Sequence, residues 1–316
     1  MRQEPGEQRE DGRNMRNVEE YLRPDVIQQV ARLDLKAKFI VEGFISGLHD
    51  SPYYGFSSEF SEHRKYSAGD EPRYIDWKVF ARTDKFYIKR FEAETNLNCH
   101  ILLDASESMA YSYGGLLSKL EYGIYMAAAL GYMMIHQQDS VGLITFDDEV
   151  TSILPPRSKR SHLVAMLGVL ARSLRHRPSR LAGCLHRAAD MLRARGLVIV
   201  FSDLIPAEGE TQADVIAGLR HLRYRGHDVI CFQLLDHAEV TFPFRGPAQF
   251  VDVESLKALR ADPEAVAEVY REEVRRFVEV YREACRADRI DFIQVDTVDS
   301  FDRVLLSFLR TRQTKF

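Results

Sequence analysis

Short apolar runs alternate along this chain with stretches whose apolar residues recur at helical spacing. The runs cover 99–103, 141–146, 197–201, 229–234 and 290–295, and the main helical stretches cover 117–137, 161–174, 181–195, 212–224 and 263–287. Each run is nearly continuous in apolar residues, mainly Val, Ile and Leu, as a strand covered on both faces requires. Such strands separated by amphipathic helices predict a doubly wound α/β fold, a mostly parallel sheet with helices on both sides. One connection differs. Asp147-Asp148-Glu149 follows the second run directly and leads into 150–154, which predicts a hairpin and one antiparallel strand, with Pro155-Pro156 expected to end it.

Upstream the pattern is less regular. Apolar spacing is helical over 25–48, while 51–84 is rich in aromatics, Gly and charge and reads as a loop-rich layer. Residues 86–94 partly alternate and suit a strand. Residues 1–17, rich in Glu, Arg, Gln and Gly, have no apolar core and read as a disordered lead-in rather than a secretory signal. The expected organisation is a tail (1–17), an N-terminal helical and loop-rich segment packed on the core (18–96) and the α/β domain (97–316). The most hydrophobic stretch, 122–135, is flanked by Lys119 and Glu121 and by Gln137, Gln138 and Asp139. It is too short for a hydrocarbon core of roughly 30 Å, so a buried helix is expected.

In a doubly wound sheet, ligands bind outside the carboxyl ends of the strands. The first core run ends in Asp104-Ala105-Ser106-Glu107-Ser108, whose carboxylate and two hydroxyls at alternating positions can point hard oxygens at one place. The run over 197–201 ends in Ser202-Asp203. If the two strands are neighbours, Asp104 and Asp203 share a crevice, and a cation relieves the repulsion of two desolvated carboxylates. The plain alternative is a set of helix N-caps with no ligand.

Asp104, Ser106, Ser108 and Asp203 resemble the metal-ion-dependent adhesion site of von Willebrand factor A domains. That family completes the site with a Thr, often in Gly-Gly-Thr; here Arg177-Pro178-Ser179-Arg180 stands in that place, offering Ser179 as the hydroxyl. The glycines are missing and two arginines flank the position. A more specific resemblance lies upstream. Gly47-Leu48-His49-Asp50-Ser51, Glu59-Phe60-Ser61-Glu62-His63-Arg64-Lys65-Tyr66-Ser67-Ala68-Gly69-Asp70, Arg73-Tyr74-Ile75-Asp76-Trp77-Lys78, Ala81-Arg82 and Lys89-Arg90-Phe91-Glu92-Ala93-Glu94 look like the bacterial domain of unknown function family 58 (DUF 58). The resemblance runs over about 34–299. It implies a bacterial or archaeal protein with a von Willebrand factor A-like core, encoded beside a MoxR-type AAA+ ATPase that it assists, and it brings no established biochemical activity with it.

Composition narrows the picture a little. Apolar residues make up 45% and charged residues 28%, ordinary for a globular protein, and a net charge of −4 gives no general reason to expect nucleic acid or an anionic membrane. Cys99, Cys184, Cys231 and Cys285 show no CxxC spacing and read as buried reduced thiols, which fits a cytoplasmic location. Trp77 reads as an anchor of the loop-rich layer, and His63, Arg64 and Asp70 as its hydrogen-bonded scaffold. Basic residues accumulate over 157–195 with Asp190 as the only acid, mostly a solvated face, although Arg177 and Arg180 beside the site could attract an acidic partner. There is no P-loop, HExxH or GxSxG motif. The sequence therefore supports a non-enzymatic protein-binding module that uses Mg²⁺ (or Mn²⁺ or Ca²⁺) to engage a partner's acidic residue. The alternatives are a metal-assisted hydrolase or phosphatase on the same carboxylates, and a metal-free scaffold in which serines and Arg177 and Arg180 satisfy them.

Overall fold

The computed structural model describes residues 63–65, 82, 87–89, 98–114, 117–173, 179–251, 258–301 and 303–305. The expected tail over 1–17, the helix over 25–48, Trp77, Asp70 and Arg177 lie outside the described residues. The described residues fall into two units. In the smaller, β1 (His63–Lys65) pairs antiparallel with β2 (Tyr87–Lys89), within the segment expected as a strand.

In the larger unit every strand read from the apolar runs is present. These are β3 (Asn98–Asp104), β4 (Ser140–Phe146), β5 (Val150–Arg157), β6 (Leu197–Ser202), β7 (Asp228–Leu235) and, after the small antiparallel pair β8 (Ala248–Val251) and β9 (Ala258–Ala261), β10 (Asp291–Asp296). The main sheet has the order β10-β7-β6-β3-β4-β5, parallel throughout except for the β4–β5 hairpin. The expected doubly wound sheet with one antiparallel strand is thus observed.

Two details depart from the sequence reading. The prolines do not end β5, which runs on through Pro155 and Pro156 to Arg157. β5 is the edge of the sheet, so the missing amide hydrogens cost no ladder bonds on its outer side. Its pairing with β4 also shifts register around Gly142, where a Cβ would lie 2.8 Å from the Leu154 carbonyl oxygen. The second departure is the β8–β9 pair and a five-residue helix, His237–Thr241, which fell outside the periodic pattern.

The helices are α1 (Lys119–His136), α2 (Arg160–Leu170), α3 (Leu181–Met191), α4 (Gln212–Tyr224), α5 (His237–Thr241) and α6 (Pro263–Ala287). Strand alternation sends Leu103, Phe201 and Leu234 to one face, where they meet α1 at Gly123. Leu102, Val198, Val200, Val229 and Cys231 face the other way and pack with α3, α4 and the end of α6. The hydrophobic stretch over 122–135 is a buried helix, as expected, and among the described residues no helix is long and apolar enough to cross a membrane. All four cysteines are buried and unpaired with one another.

Candidate functional site

The chain leaves β3, builds β4 and β5 on one side of it, then returns to build β6 on the other. The crevice of a doubly wound sheet opens where the strand order reverses in this way, between β3 and β6. Asp104 is the last residue of β3, and Asp203 follows the last residue of β6. Residues 1% exposed, both carboxylates are withdrawn from water at that point.

The local backbone is arranged around them. Asp104 accepts the Ser106 amide hydrogen on Oδ1 (3.0 Å) and the Ser202 hydroxyl on Oδ2 (2.6 Å). Ser106 and Ser108 hydroxyls lie 3.2 Å apart, and both residues are buried. A short 3-10 turn (Ser108–Ala110) then carries the chain away. On the β6 side, Leu204 adopts a left-handed backbone (φ 61°), which is costly for a branched side chain. That conformation is held by its own amide donating to Ser202 Oγ (3.0 Å) and by the Tyr281 hydroxyl donating to its carbonyl (2.7 Å). Gln233 Nε2 donates to the Asp203 carbonyl (3.1 Å). The turn that presents Asp203 is therefore fixed from three elements.

Sequence reasoning missed the strongest charge in the site. Lys119 opens α1 and was read as a flank of that helix, yet it is fully buried, its Nζ donating to Asp203 Oδ2 (2.8 Å) and to Glu239 Oε1 of α5 (2.7 Å). Burial opposes its charge, but the two carboxylates outweigh this and hold the ammonium above the ordinary lysine range. Asp104 receives only neutral donors. Burial, together with repulsion from Asp203, raises its carboxyl to about 7, against the partial relief given by Ser202 and Ser106. Asp203 and Glu239 thus share one ammonium, while Asp104 is held by neutral donors alone. Ser202 and Glu239 were also missed. The signals for them were slight: Ser202 directly precedes Asp203, and Asp236-His237-Ala238-Glu239 has the spacing of a helix capping box.

Ser179 is placed at this end of the sheet by its neighbour. The Arg180 amide donates to the Asp147 carbonyl (3.1 Å) just past β4, while Ala105 of the β3 loop donates to Phe146 (2.8 Å). Ser179 is 4% exposed, and its hydroxyl has no hydrogen-bond partner. Arg180 points to solvent. The expectation that Arg180 satisfies the carboxylates in a metal-free site is corrected: Lys119 pairs with Asp203, and Ser202 with the Ser106 amide serves Asp104. Arg180, the residue before α3, is turned outward, whereas Lys119 at the first position of α1 reaches Asp203.

The donor set suits a hard divalent cation. Asp104, Asp203, Ser106, Ser108 and Ser179 offer only oxygens, the Asp104 carboxyl has only neutral hydrogen-bond donors, and the Ser179 hydroxyl is an orphaned buried polar atom. Among the described residues no group of three or more His, Cys, Asp and Glu forms a metal cluster, so serine hydroxyls and water would have to complete the coordination.

The chain is 27% identical over 267 residues to Uncharacterized protein Rv1480 of Mycobacterium tuberculosis, covering 81% of this chain and 82% of that one. Among solved structures, it is similar to conserved hypothetical protein BatB from Bacteroides thetaiotaomicron (TM-score 0.46, 16% identity, 69% of this chain and 99% of that one). It is also similar to the SpRpn10 VWA domain (TM-score 0.34, 11% identity, 66% and 93%). The model of the family described as Protein of unknown function DUF58 matches residues 62–282, more than half of the chain, and the chain belongs to that family.

Proposed function

We propose that this protein is a non-enzymatic, divalent-cation-dependent protein-binding module of the von Willebrand factor A type. The observation that carries the reading is the pair Asp104 and Asp203, buried on adjacent parallel strand ends, with Lys119 shared between Asp203 and Glu239 and no cation paired with Asp104 among its hydrogen-bond partners. Asp104, Ser106, Ser108 and Asp203, with Ser179, would hold Mg²⁺, or Mn²⁺ or Ca²⁺. The cation would supply positive charge and an open position for a carboxylate from a partner protein. Lys119 holds Asp203 in place, and Ser202 and the Ser106 amide orient Asp104. The partner is proposed to be a MoxR-type AAA+ ATPase that this module assists, in the cytoplasm, with the exposed Arg180, and Arg177 three positions before it in the sequence, favouring an acidic docking surface.

Calorimetry with Mg²⁺ and Mn²⁺ tests the site: binding that Asp104→Ala abolishes is expected, and equal heats from both proteins would sink it. Recovery of an AAA+ ATPase from native lysate only with Mg²⁺ and only by the unaltered site is the expected result for the partner.

The Lys119 ion pair also favours a second reading, a metal-free scaffold whose charge is balanced from within. In that case thermal stability would not respond to Mg²⁺. A hydrolase on the same carboxylates would instead show Mg²⁺-dependent turnover of phosphate or ester substrates that Asp203→Asn removes.

A further inference from the structure

A second cluster lies away from the strand ends, on the outer surface of α3 and α4. His186 of α3 and His221 of α4 face one another with their Nδ1 atoms 3.1 Å apart. The helices are held close beneath them: a Cβ on Gly218, one turn before His221, would lie 2.8 Å from Cβ of Leu185, the neighbour of His186. The close approach of the two helices at this point brings the two rings within reach of each other. His221 is 27% exposed, so ions in solution can reach it, and its other nitrogen, Nε2, stands 3.7 Å from Asp190 Oδ1.

From these contacts we infer that His186 and His221 form a two-histidine site for a late transition-metal ion such as Zn²⁺, Ni²⁺ or Cu²⁺. Imidazole nitrogens are the ligands these ions prefer, and Mg²⁺ and Ca²⁺ avoid them. The distance fits. With metal–nitrogen bonds of about 2.0–2.1 Å, two nitrogens on one ion stand about 2.9 Å apart at a right angle and about 3.4 Å apart in a tetrahedron. The observed separation lies between these values. Asp190, whose carboxylate lies just beyond hydrogen-bond distance of His221 Nε2, acts on that nitrogen through its charge. It favours the proton on His221 Nε2, which leaves Nδ1 free to act as the ligand. In the metal-free pair His186 Nδ1 is then the donor to His221 Nδ1. On binding, the His186 proton moves to its own Nε2, so both Nδ1 lone pairs face the ion with no net change in protonation. Water completes the coordination, since two protein ligands are what the site supplies.

The placement gives such an ion a structural effect. α3 begins at Leu181, directly after Ser179 and Arg180, and the amides of Ala182 and Gly183 are held by Glu210 ahead of α4 (3.2 and 3.4 Å). A metal linking His186 to His221 ties α3 to α4 in the next two turns and so fixes the helix that follows Ser179. The inference rests on the histidine pair alone and stands whether or not the strand-end site takes a cation.

The test uses the full chain. Zn²⁺ titration by calorimetry is expected to show one ion per chain that excess Mg²⁺ does not displace. His186→Ala and His221→Ala should each abolish it, and Asp190→Asn should weaken it about tenfold. With Cu²⁺, the electron paramagnetic resonance spectrum should carry coupling to two nitrogens, falling to one or none in the single variants. Both histidines are on the surface, so the variants should keep the far-ultraviolet circular dichroism of the parent. Zn²⁺ affinity unchanged in the folded double variant, or a Cu²⁺ spectrum without two nitrogens in the parent, would overturn the inference.

Discussion

The two ends of the central sheet bury different chemistry. Where β3 and β6 finish, Asp104, Ser202, Asp203 and Lys119 are shut away from water, whereas His100 is buried where β3 starts and His227 just ahead of β7. At the carboxyl end acidic, basic and hydroxyl groups are tied together by hydrogen bonds of 2.6 to 3.0 Å. At the amino end burial, with repulsion between His100 and His227, keeps His100 uncharged until about pH 4. Buried charge is tolerated only where partners face it, and buried imidazoles are tolerated by staying neutral. One end of the sheet is thus electrostatically loaded and the other is electrostatically quiet.

The comparison breaks most sharply at Lys119. Replacing it by Met keeps the volume but leaves the buried Asp203 and the partly buried Glu239 without a counter-charge. Removing one partner of a buried pair costs about 3–5 kcal/mol, a large part of a typical domain's stability. Denaturant unfolding of Lys119→Met should show that loss, and Mg²⁺ should restore part of it if the strand-end site accepts a cation. A loss below about 1 kcal/mol, the value for exposed pairs, would mean the ammonium is not the neutralising group.

The amino end predicts a pH effect of somewhat smaller size. His100 takes up a proton near 6.5 when unfolded and near 4 when folded, so between these values the unfolded chain binds more protons. The stability His100 contributes is complete above pH 6.5 and drains away as the pH falls to 4, on the order of 3 kcal/mol in all. Measured unfolding free energies should decline through that window, and His100→Leu should flatten the decline. A slope unaltered by the substitution would assign it to other groups.

These two predictions also mark what the sequence could reveal. The apolar runs and the chain reversal made the strand ends readable, and with them Asp104 and Asp203, because a strand's terminal residue is placed by the strand itself. Lys119 was unreadable for the opposite reason. A lysine at the head of a helix is ordinarily solvated, and its burial depends on Glu239, 120 positions away on a helix of five residues that leaves no periodic trace. Pro155-Pro156 misled in a similar way: proline ends a central strand, but whether a strand lies at the edge is a property of the assembled sheet.

Between the two ends the sheet itself is tight at one point. Gly142 of β4 lies beneath β5, where a Cβ would meet the Leu154 carbonyl oxygen at 2.8 Å, the Pro156 nitrogen at 3.0 Å and His100 Nδ1 at 3.2 Å. Two of these neighbours are backbone atoms that cannot swing aside. Gly142→Ala should cost about 1–3 kcal/mol by overpacking, and its effect should fall on β5 and His100 rather than on the carboxyl end. Hydrogen exchange would show faster opening of β5. Equal protection in both proteins would place the strain elsewhere.

Ser179 separates the two ends by the smallest expected change in stability. Its buried hydroxyl lacks a partner, so in the metal-free protein the hydroxyl contributes no hydrogen bond and carries its desolvation cost. Ser179→Ala should then leave unfolding free energy unchanged, or raise it by up to about 1 kcal/mol. The same substitution removes an oxygen from the proposed cation site, so Mg²⁺ affinity should fall while stability holds. Hydroxyls that serve only the fold behave the other way: Ser202→Ala deprives Asp104 of a donor and should lower stability with or without the ion, by about 1–3 kcal/mol for a hydrogen bond to a charged group. Parallel thermal melts of the two variants, with and without Mg²⁺, read both quantities at once. If Ser179→Ala destabilises the metal-free protein as much as Ser202→Ala does, the hydroxyl is structural, and its place among the cation ligands is lost.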